Sequence, residues 1–436
     1  MKNKYLQVYK ERHCLDELYL QVAKHRLNGN TLVVIPCYKE SFKLVNQCLL
    51  SLNRTTQVSE LEVMILVNYK STDSPDIKTA SEELYSSIIK AQQAGAYKFL
   101  LRIFISELSH KKSGVGLARK LLMDCAFLRF QQESRNGLIV NLDADTVVSA
   151  DYLTAISAYF AEYPEMEAAS IAFEHPTIEP TTHESFAIIN YELHLRYFIN
   201  MQRWLNLPFA FQTIGSAMAV RSDSYAKEGG MVLKQAGEDF YFLHKFSKNF
   251  LLGEINTTVV TPSNRSSDRV PFGTGKAVND FISTAAQTYY TYNPDSFIAL
   301  KGWLQQITTL LINPSDNTIP KAKDDILASY LQDSDYNKVM STQILNTKIG
   351  LARAKKFYEW FDAFRLMKYL HYSRINGNAD LALLTACHQY SELTNSEIHG
   401  DELSYLQMMR RIDRSSDYNN QWRAGFISKL SKISAS

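Results

Sequence analysis

Leu138-Ile139-Val140-Asn141-Leu142-Asp143-Ala144-Asp145-Thr146 is the stretch whose reading decides the fold. Residues 138–142 form a short, nearly continuous apolar run, the signature of a strand covered on both faces. Two carboxylates two residues apart follow at once. In sheets of mainly parallel strands, ligands gather outside the carboxyl ends, so a pair at a strand tip lies where chemistry is done. Two such carboxylates repel each other, and a bound divalent cation is a natural reason to keep both. Hard oxygen ligands favour magnesium or manganese, which also neutralise a leaving diphosphate. The alternative is a capping Asp beside a solvent-exposed one.

Working outward, residues 32–35, 63–67 and 99–105 are further Val-, Ile- and Leu-rich runs, separated by helical patterns over 42–52, 79–93 and 117–130. This alternation predicts an α/β domain with a largely parallel sheet and right-handed crossovers. Residues 12–28 read as an amphipathic helix carrying Leu15, Leu18, Tyr19 and Val22 on one face and stopping at Asn28-Gly29. After about residue 276 the alternation fades into helical blocks such as 296–312 and 321–331, broken by Pro294, Pro314 and Pro320. The expected division is 1–30, an N-terminal helix; 31–276, the α/β domain; and 277–436, mainly helical.

The other strand ends are also polar. Pro36, Tyr38 and Glu40 place a Pro-fixed turn, a ring and a carboxylate after the first strand, where a base can pack; an ordinary strand-to-helix loop has the same composition. Asn68 and Asp73, after the second, can accept hydrogen bonds from a base or ribose, or serve as turn and cap. Lys111, Lys112 and Arg119 surround a Gly-rich turn that opens a helix, which suits a diphosphate, or a solvated loop. In Gly237-Glu238-Asp239-Phe240 a loop acid near a helix start can act as a base, or cap the helix. Arg265 and Arg269 supply guanidiniums suited to bidentate phosphate contact, or to pairing with surface charges.

Composition narrows the class. The 436 residues, 45% hydrophobic and 21% charged, describe an ordinary globular chain, with room for two or three domains at about 150 residues each. Lys and Arg number 47 against 45 Asp and Glu, a net charge of +2 that argues against a nucleic-acid footprint. Five scattered cysteines without CxxC spacing suit a reducing compartment, and no secretory signal opens the chain, so a cytoplasmic location is expected. The longest uncharged run, 204–220, is too short for a membrane span of about 20 residues. In the tail, Trp422, Phe426, Leu430 and Ile433 share a helical face flanked by Arg423, Lys429 and Lys432. That stripe suits either core packing or peripheral contact with an anionic membrane at its inner face.

Taken together and in order, these segments over residues 31–276 resemble the family-2 glycosyltransferases of the GT-A fold, whose motifs read roughly V-x-I-P-x-Y-N-E, G-S-T-D, A-R-N, D-x-D and G-E-D. The resemblance implies a Rossmann-like sheet that binds a nucleotide-sugar and a divalent metal, Mn2+ or Mg2+, and transfers one sugar with inversion. By matched position, Pro36, Tyr38 and Glu40 border the nucleotide; Asp73 and Arg119 contact base, ribose or phosphates; Asp143 and Asp145 hold ribose and metal; Asp239 is the general base; and Glu238 orients the acceptor. Lys39 and Lys120 stand where Asn is usual, Asn68 where many relatives carry Asp, and Arg265 where some have a metal-binding His. The missing Q-x-x-R-W motif, together with the lack of a membrane-spanning run, favours single-sugar transfer, and the resemblance implies a nucleotide-sugar donor, a UDP-sugar first, and a glycan or lipid-linked acceptor in surface glycan or glycolipid synthesis. The rival readings are a sugar-nucleotide-forming nucleotidyltransferase and a catalytically silent binding module.

Overall fold

The computed structural model of the chain describes residues 2–108, 114–176, 182–234, 237–265, 274–283, 288–313, 317–396, 399–415 and 418–435. Lys112 and Arg269 lie outside the described residues. The chain forms two compact units: Met1–Thr177, Thr213–Phe246 and Leu251–Asn279 make the first, and Ile178–Gln212, Ser247–Phe250 and Asp280–Ser436 the second.

The first unit is built on an eight-stranded sheet flanked by helices, the mixed, mostly parallel α/β arrangement that the sequence leads one to expect. Its strands are β1 (Thr31–Cys37), β2 (Leu61–Lys70), β3 (Leu100–Leu108), β4 (Leu138–Asn141), β5 (Val147–Val148), β6 (Ala168–Phe173), β7 (Met218–Arg221) and β8 (Leu252–Thr261), in the order β3-β2-β1-β4-β7-β6-β8-β5. Strands β3, β2, β1 and β4 run parallel, β7 is antiparallel to both neighbours, β6 and β8 are parallel, and β5 turns back on β8. Val33, aligned with Val63 on one side and Val140 on the other, marks the buried centre.

The helix Phe42–Leu52 follows the expected bounds, with Ser41 capping it through Leu44 N–H and Val45, Cys48, Leu49 and Leu52 buried. The next begins at Pro75 rather than 79, because proline in the first turn needs no N–H partner. Strand β3 departs from the reading of a strand covered on both faces. Among the described residues it is the sheet edge, paired with β2 alone, and of its nine residues Leu101, Phe104 and Leu108 are buried while the rest are half-exposed or exposed. Pro36 lies inside β1 rather than in a turn, aligned with Leu66. Pairing with β4 stops at Val34, so on that side no ladder N–H is required of residue 36.

The N-terminal segment forms two helices, Lys2–Arg12 and Glu17–Val22, where the pattern predicts one over 12–28. The break has a tertiary cause. Leu15 N–H donates to the Asp124 carboxylate at 2.8 Å, a bond that a continuous helix would forbid. Asp124 also accepts from Tyr9 Oη (2.6 Å), Tyr225 Oη (2.7 Å) and Lys120 Nζ (2.9 Å). The helix Val115–Gln132 that carries it is buried almost throughout, yet bears Arg119, Lys120, Asp124 and Arg129, each ion-paired.

The second unit is mainly helical, with His183–Trp204, Pro294–Ile312, Asp325–Asp333, Leu351–Trp360, Ala363–Ile375, Leu383–Thr394, Glu402–Ser415 and Tyr418–Ala435 among its helices and one short antiparallel ladder, β9 (Tyr290–Thr291) with β10 (Leu381–Ala382). The third of these starts at Asp325 rather than 321, since Asp324 accepts from Leu327 N–H and so sets the cap. A buried ionic network ties His183–Trp204 to Glu402–Ser415. Arg410 grips Glu192 with bonds of 2.7 and 2.6 Å, Arg196 bonds the same carboxylate at 2.8 Å, and Arg196 and Arg203 both reach Asp413. The tail stripe packs within this unit. Phe426 lies 6.2 Å from the Phe250 ring and 6.4 Å from Tyr358, and Leu430 is fully buried. Among the described residues no helix is long and apolar enough to cross a membrane.

Candidate functional site

Strand pairing assembles the site. Beyond β4, the acidic loop turns back on itself through Thr146 N–H to Asp143 O, 3.1 Å, and enters β5. Since Val147 lies opposite Thr261, the chain leaving β8 carries Arg265 to the acidic loop. Because Asn141 lies opposite Met218, the entry to β7 brings Gly215 to the same place.

Two guanidiniums organise the acids. Arg119, 3% exposed at its side chain, donates Nε to Glu238 (2.9 Å), one terminal nitrogen to Gly215 O (2.7 Å) and the other to Asp143 (2.6 Å). Arg265, 30% exposed, bonds Asp145 through Nε at 2.9 Å and also grips Glu40. Charge-assisted bonds from one planar guanidinium to several acceptors fix geometry as well as charge. The two aspartates of the acidic loop are thus held by different arginines. Asp143 belongs to the Arg119 cluster, and Asp145 shares Arg265 with Glu40.

Gly215 is the residue without chemistry that makes the cluster possible. A Cβ there would lie 3.0 Å from Arg119 Cζ and 3.2 Å from Asp239 Oδ2, so guanidinium and carboxylate occupy the room that a side chain would take. Asp239 sits in the first turn of the helix Glu238–Ser247, its Oδ1 accepting from Phe240 N–H at 2.7 Å. Burial and the neighbouring Glu238 charge push its carboxyl up to about 7, against the pull of Arg119. Burial also raises Glu238, which Arg119 opposes, and it raises Asp145 together with the Asp143 charge, which Arg265 opposes.

A second group forms after β1 and β2. Tyr38 Oη donates to Asp73 at 2.9 Å, Asp73 also accepts from Lys70 N–H at 2.8 Å, and Lys39 and Lys70 lie 5.0 and 5.1 Å from the Tyr38 ring centroid. The ring and carboxylate read from the sequence are therefore together. Lys39 has a φ of 55°, in the left-handed region where Asn is tolerated and Lys strained. Asn68 is shut in at 4% exposure, and its Oδ1 has no partner among the described residues, so a base reaches that atom only if neighbouring side chains part.

The structure therefore gathers Glu40, Arg119, Asp143, Asp145, Glu238, Asp239 and Arg265 through shared partners, with Tyr38 and Asp73 as a neighbouring pair and Pro36 within β1. Sequence reasoning missed the pairing of Glu40 with Arg265, 225 positions apart, for which no local signal exists. It also gave Gly215 no role, although a lone glycine before an apolar strand is a signal of close approach.

The chain matches no protein-family model and no curated protein. Among solved structures it is similar to S. aureus TarS 1-349 in complex with UDP-GlcNAc, at 12% identity and a TM-score of 0.36, over 93% of this chain and 90% of that one. It is also similar to the mannosyltransferase PcManGT from Pyrobaculum calidifontis in complex with GDP-Man and Mn2+, at 12% identity and a TM-score of 0.36, over 100% and 95%.

Proposed function

We propose that this chain is an inverting glycosyltransferase that moves one sugar from a nucleotide-sugar, a UDP-sugar first, to the hydroxyl of a glycan or lipid-linked acceptor. The observation that supports it is a half-buried carboxylate, Asp239, at a helix start beside the arginine-locked acidic cluster that follows β4.

The donor chemistry fits a divalent cation. Asp145 and Glu40 supply hard carboxylate oxygens, and the Arg265 guanidinium already stands between them as a positive charge. Those two residues would hold the ion, with Arg265 giving way, while Asp143 remains with Arg119. Bound there, a divalent ion supplies charge neutralisation for the diphosphate. Asp239 takes the proton of the acceptor hydroxyl as its oxygen bonds to the anomeric carbon. The bond from that carbon to the diphosphate breaks with its electron pair on the departing oxygen, where Arg265 offsets the charge. Arg119 fixes Glu238 and Asp143, and through the space at Gly215 it keeps Asp239 in line.

Incubating the protein with UDP-sugars, Mn2+ and an acceptor tests the reading. Acceptor-dependent release of UDP supports it; UTP and sugar-1-phosphate formed from the UDP-sugar when pyrophosphate is added assign a nucleotidyltransferase, and neither product with donor bound leaves a binding module.

A further inference from the structure

The second unit contains a cavity of about 330 Å3 whose residues take no part in the site above. Its volume stands at the small end of ligand pockets, roughly 300–1,000 Å3, and suits one or two hexose rings. It is an open depression whose lining combines the rings of Phe281, Tyr289, Tyr290 and Tyr292 with polar side chains. The Phe281 and Tyr289 rings lie 5.9 Å apart and 23° from parallel, Tyr292 sits beneath Arg374 at 5.1 Å, and Tyr290 is 61% exposed. The Tyr290 ring, presented at the pocket mouth, offers a flat apolar face to a ligand. The rings are held in place, because β9 pairs with β10 and Tyr292 O accepts from Tyr197 Oη at 2.8 Å.

Between the rings stand planar polar groups. Arg374 Nε donates to Asp380 Oδ1 at 2.8 Å, and His194 Nδ1 is 2.8 Å from Thr291 Oγ1. A guanidinium has five N–H donors and a carboxylate two oxygens, so the pair keeps capacity to donate to one hydroxyl and accept from its neighbour. Charge selects the class of ligand. Arg374 and Asp380 neutralise each other, and loss of solvation together with the Arg374 charge pushes His194 down to about 4, leaving it neutral. An anion finds no uncompensated charge there, and a purely apolar ligand would desolvate the polar groups without replacing their water.

We propose that this pocket binds a neutral saccharide unit, the apolar face of its ring against the tyrosines and its vicinal hydroxyls on the Arg374–Asp380 pair. Recognition of this kind needs no donor, so the inference stands apart from the transfer reading.

Saturation-transfer NMR on the full chain, with the methyl glycosides of glucose, galactose, mannose and N-acetylglucosamine, tests it. Saturation of ring protons is expected for at least one glycoside. Removing one aromatic wall in Tyr290→Ala, an exposed position, should weaken that binding roughly tenfold, the upper range for one aromatic contact. Arg374→Met should weaken it as well, and Asp145→Asn should leave it unchanged. Silence with all four glycosides overturns the proposal, as does saturation that survives both pocket substitutions. Saturation lost only in Asp145→Asn assigns binding to the transfer site, which overturns the pocket and leaves the transfer reading standing. Broadening of inorganic phosphate in 31P spectra that Tyr290→Ala relieves marks an anion site instead, and also overturns it.

Discussion

At the scale of single residues, Asp239 carries the sharpest expectation. Loss of a general base costs about 10² to 10⁴ in rate, so Asp239→Asn should bind donor in calorimetry while transferring sugar that much more slowly. Its carboxyl, raised from the ordinary 3.8 to about 7 by burial and Glu238, must be ionised to act. The rate should therefore climb with pH up to about 7 and level off above it in a kcat/KM profile. For stability the sign is opposite. Between 3.8 and about 7 the folded chain holds a proton that the unfolded chain has lost, so this group's contribution falls as pH rises through that window. Arg265 makes a separate claim. If it occupies the place of a cation, Arg265→Gln should tighten Mn2+ binding by about 1 kcal/mol, the scale of a part-exposed ion pair, and Asp145→Asn should abolish it in EPR titrations. Lys39, at φ 55°, sits in a conformation costing an L-residue about 1–2 kcal/mol. Lys39→Asn should recover about half of that as stability against urea.

At the scale of elements, the helix Val115–Gln132 works as a keel. One side chain, Asp124, holds Tyr9, Leu15, Lys120 and Tyr225, and another, Arg129, takes Glu62 at 2.8 Å and the carbonyls of Val22 and Arg26. Removing one partner of such a buried cluster costs about 3–5 kcal/mol. Asp124→Ala should therefore accelerate hydrogen exchange in residues 2–12 well before the strands respond. The central strands were legible because each is apolar and ends in polar residues, a pattern fixed by burial on both faces. The positions of the candidate acids were legible for the same reason, since Asp143, Asp145 and Asp239 lie just beyond strands or at a helix start. What stayed hidden was set by distance along the chain. The break at residues 13–16 depends on Asp124, and the fate of Asp145 depends on Arg265. Neither dependence leaves a trace in local periodicity.

For the whole molecule, the two units carry separate cores with separate ionic locks. Asp413 receives Arg196 and Arg203, with Asn200 Nδ2 at 3.2 Å, all buried. Asp413→Ala should lower the stability of the second unit by about 3–5 kcal/mol. Hydrogen exchange should report the loss in residues 183–204 and 402–415 and leave β1 and β2 unchanged. The tail stripe illustrates what the amino-acid pattern left open at this scale, since an apolar face with basic flanks suits a helix partner or a lipid surface equally. Here Phe426 and Leu430 are spent on packing.

The second unit draws residues 178–212 and 247–250 from within the span of the first. A fragment ending near 276 would keep Glu192, Arg196 and Arg203 but discard Arg410 and Asp413, stranding three charged side chains with half their counterions gone. Attempts to express the sheet alone should yield insoluble protein, for the gene has no single place where scissors would separate the halves cleanly.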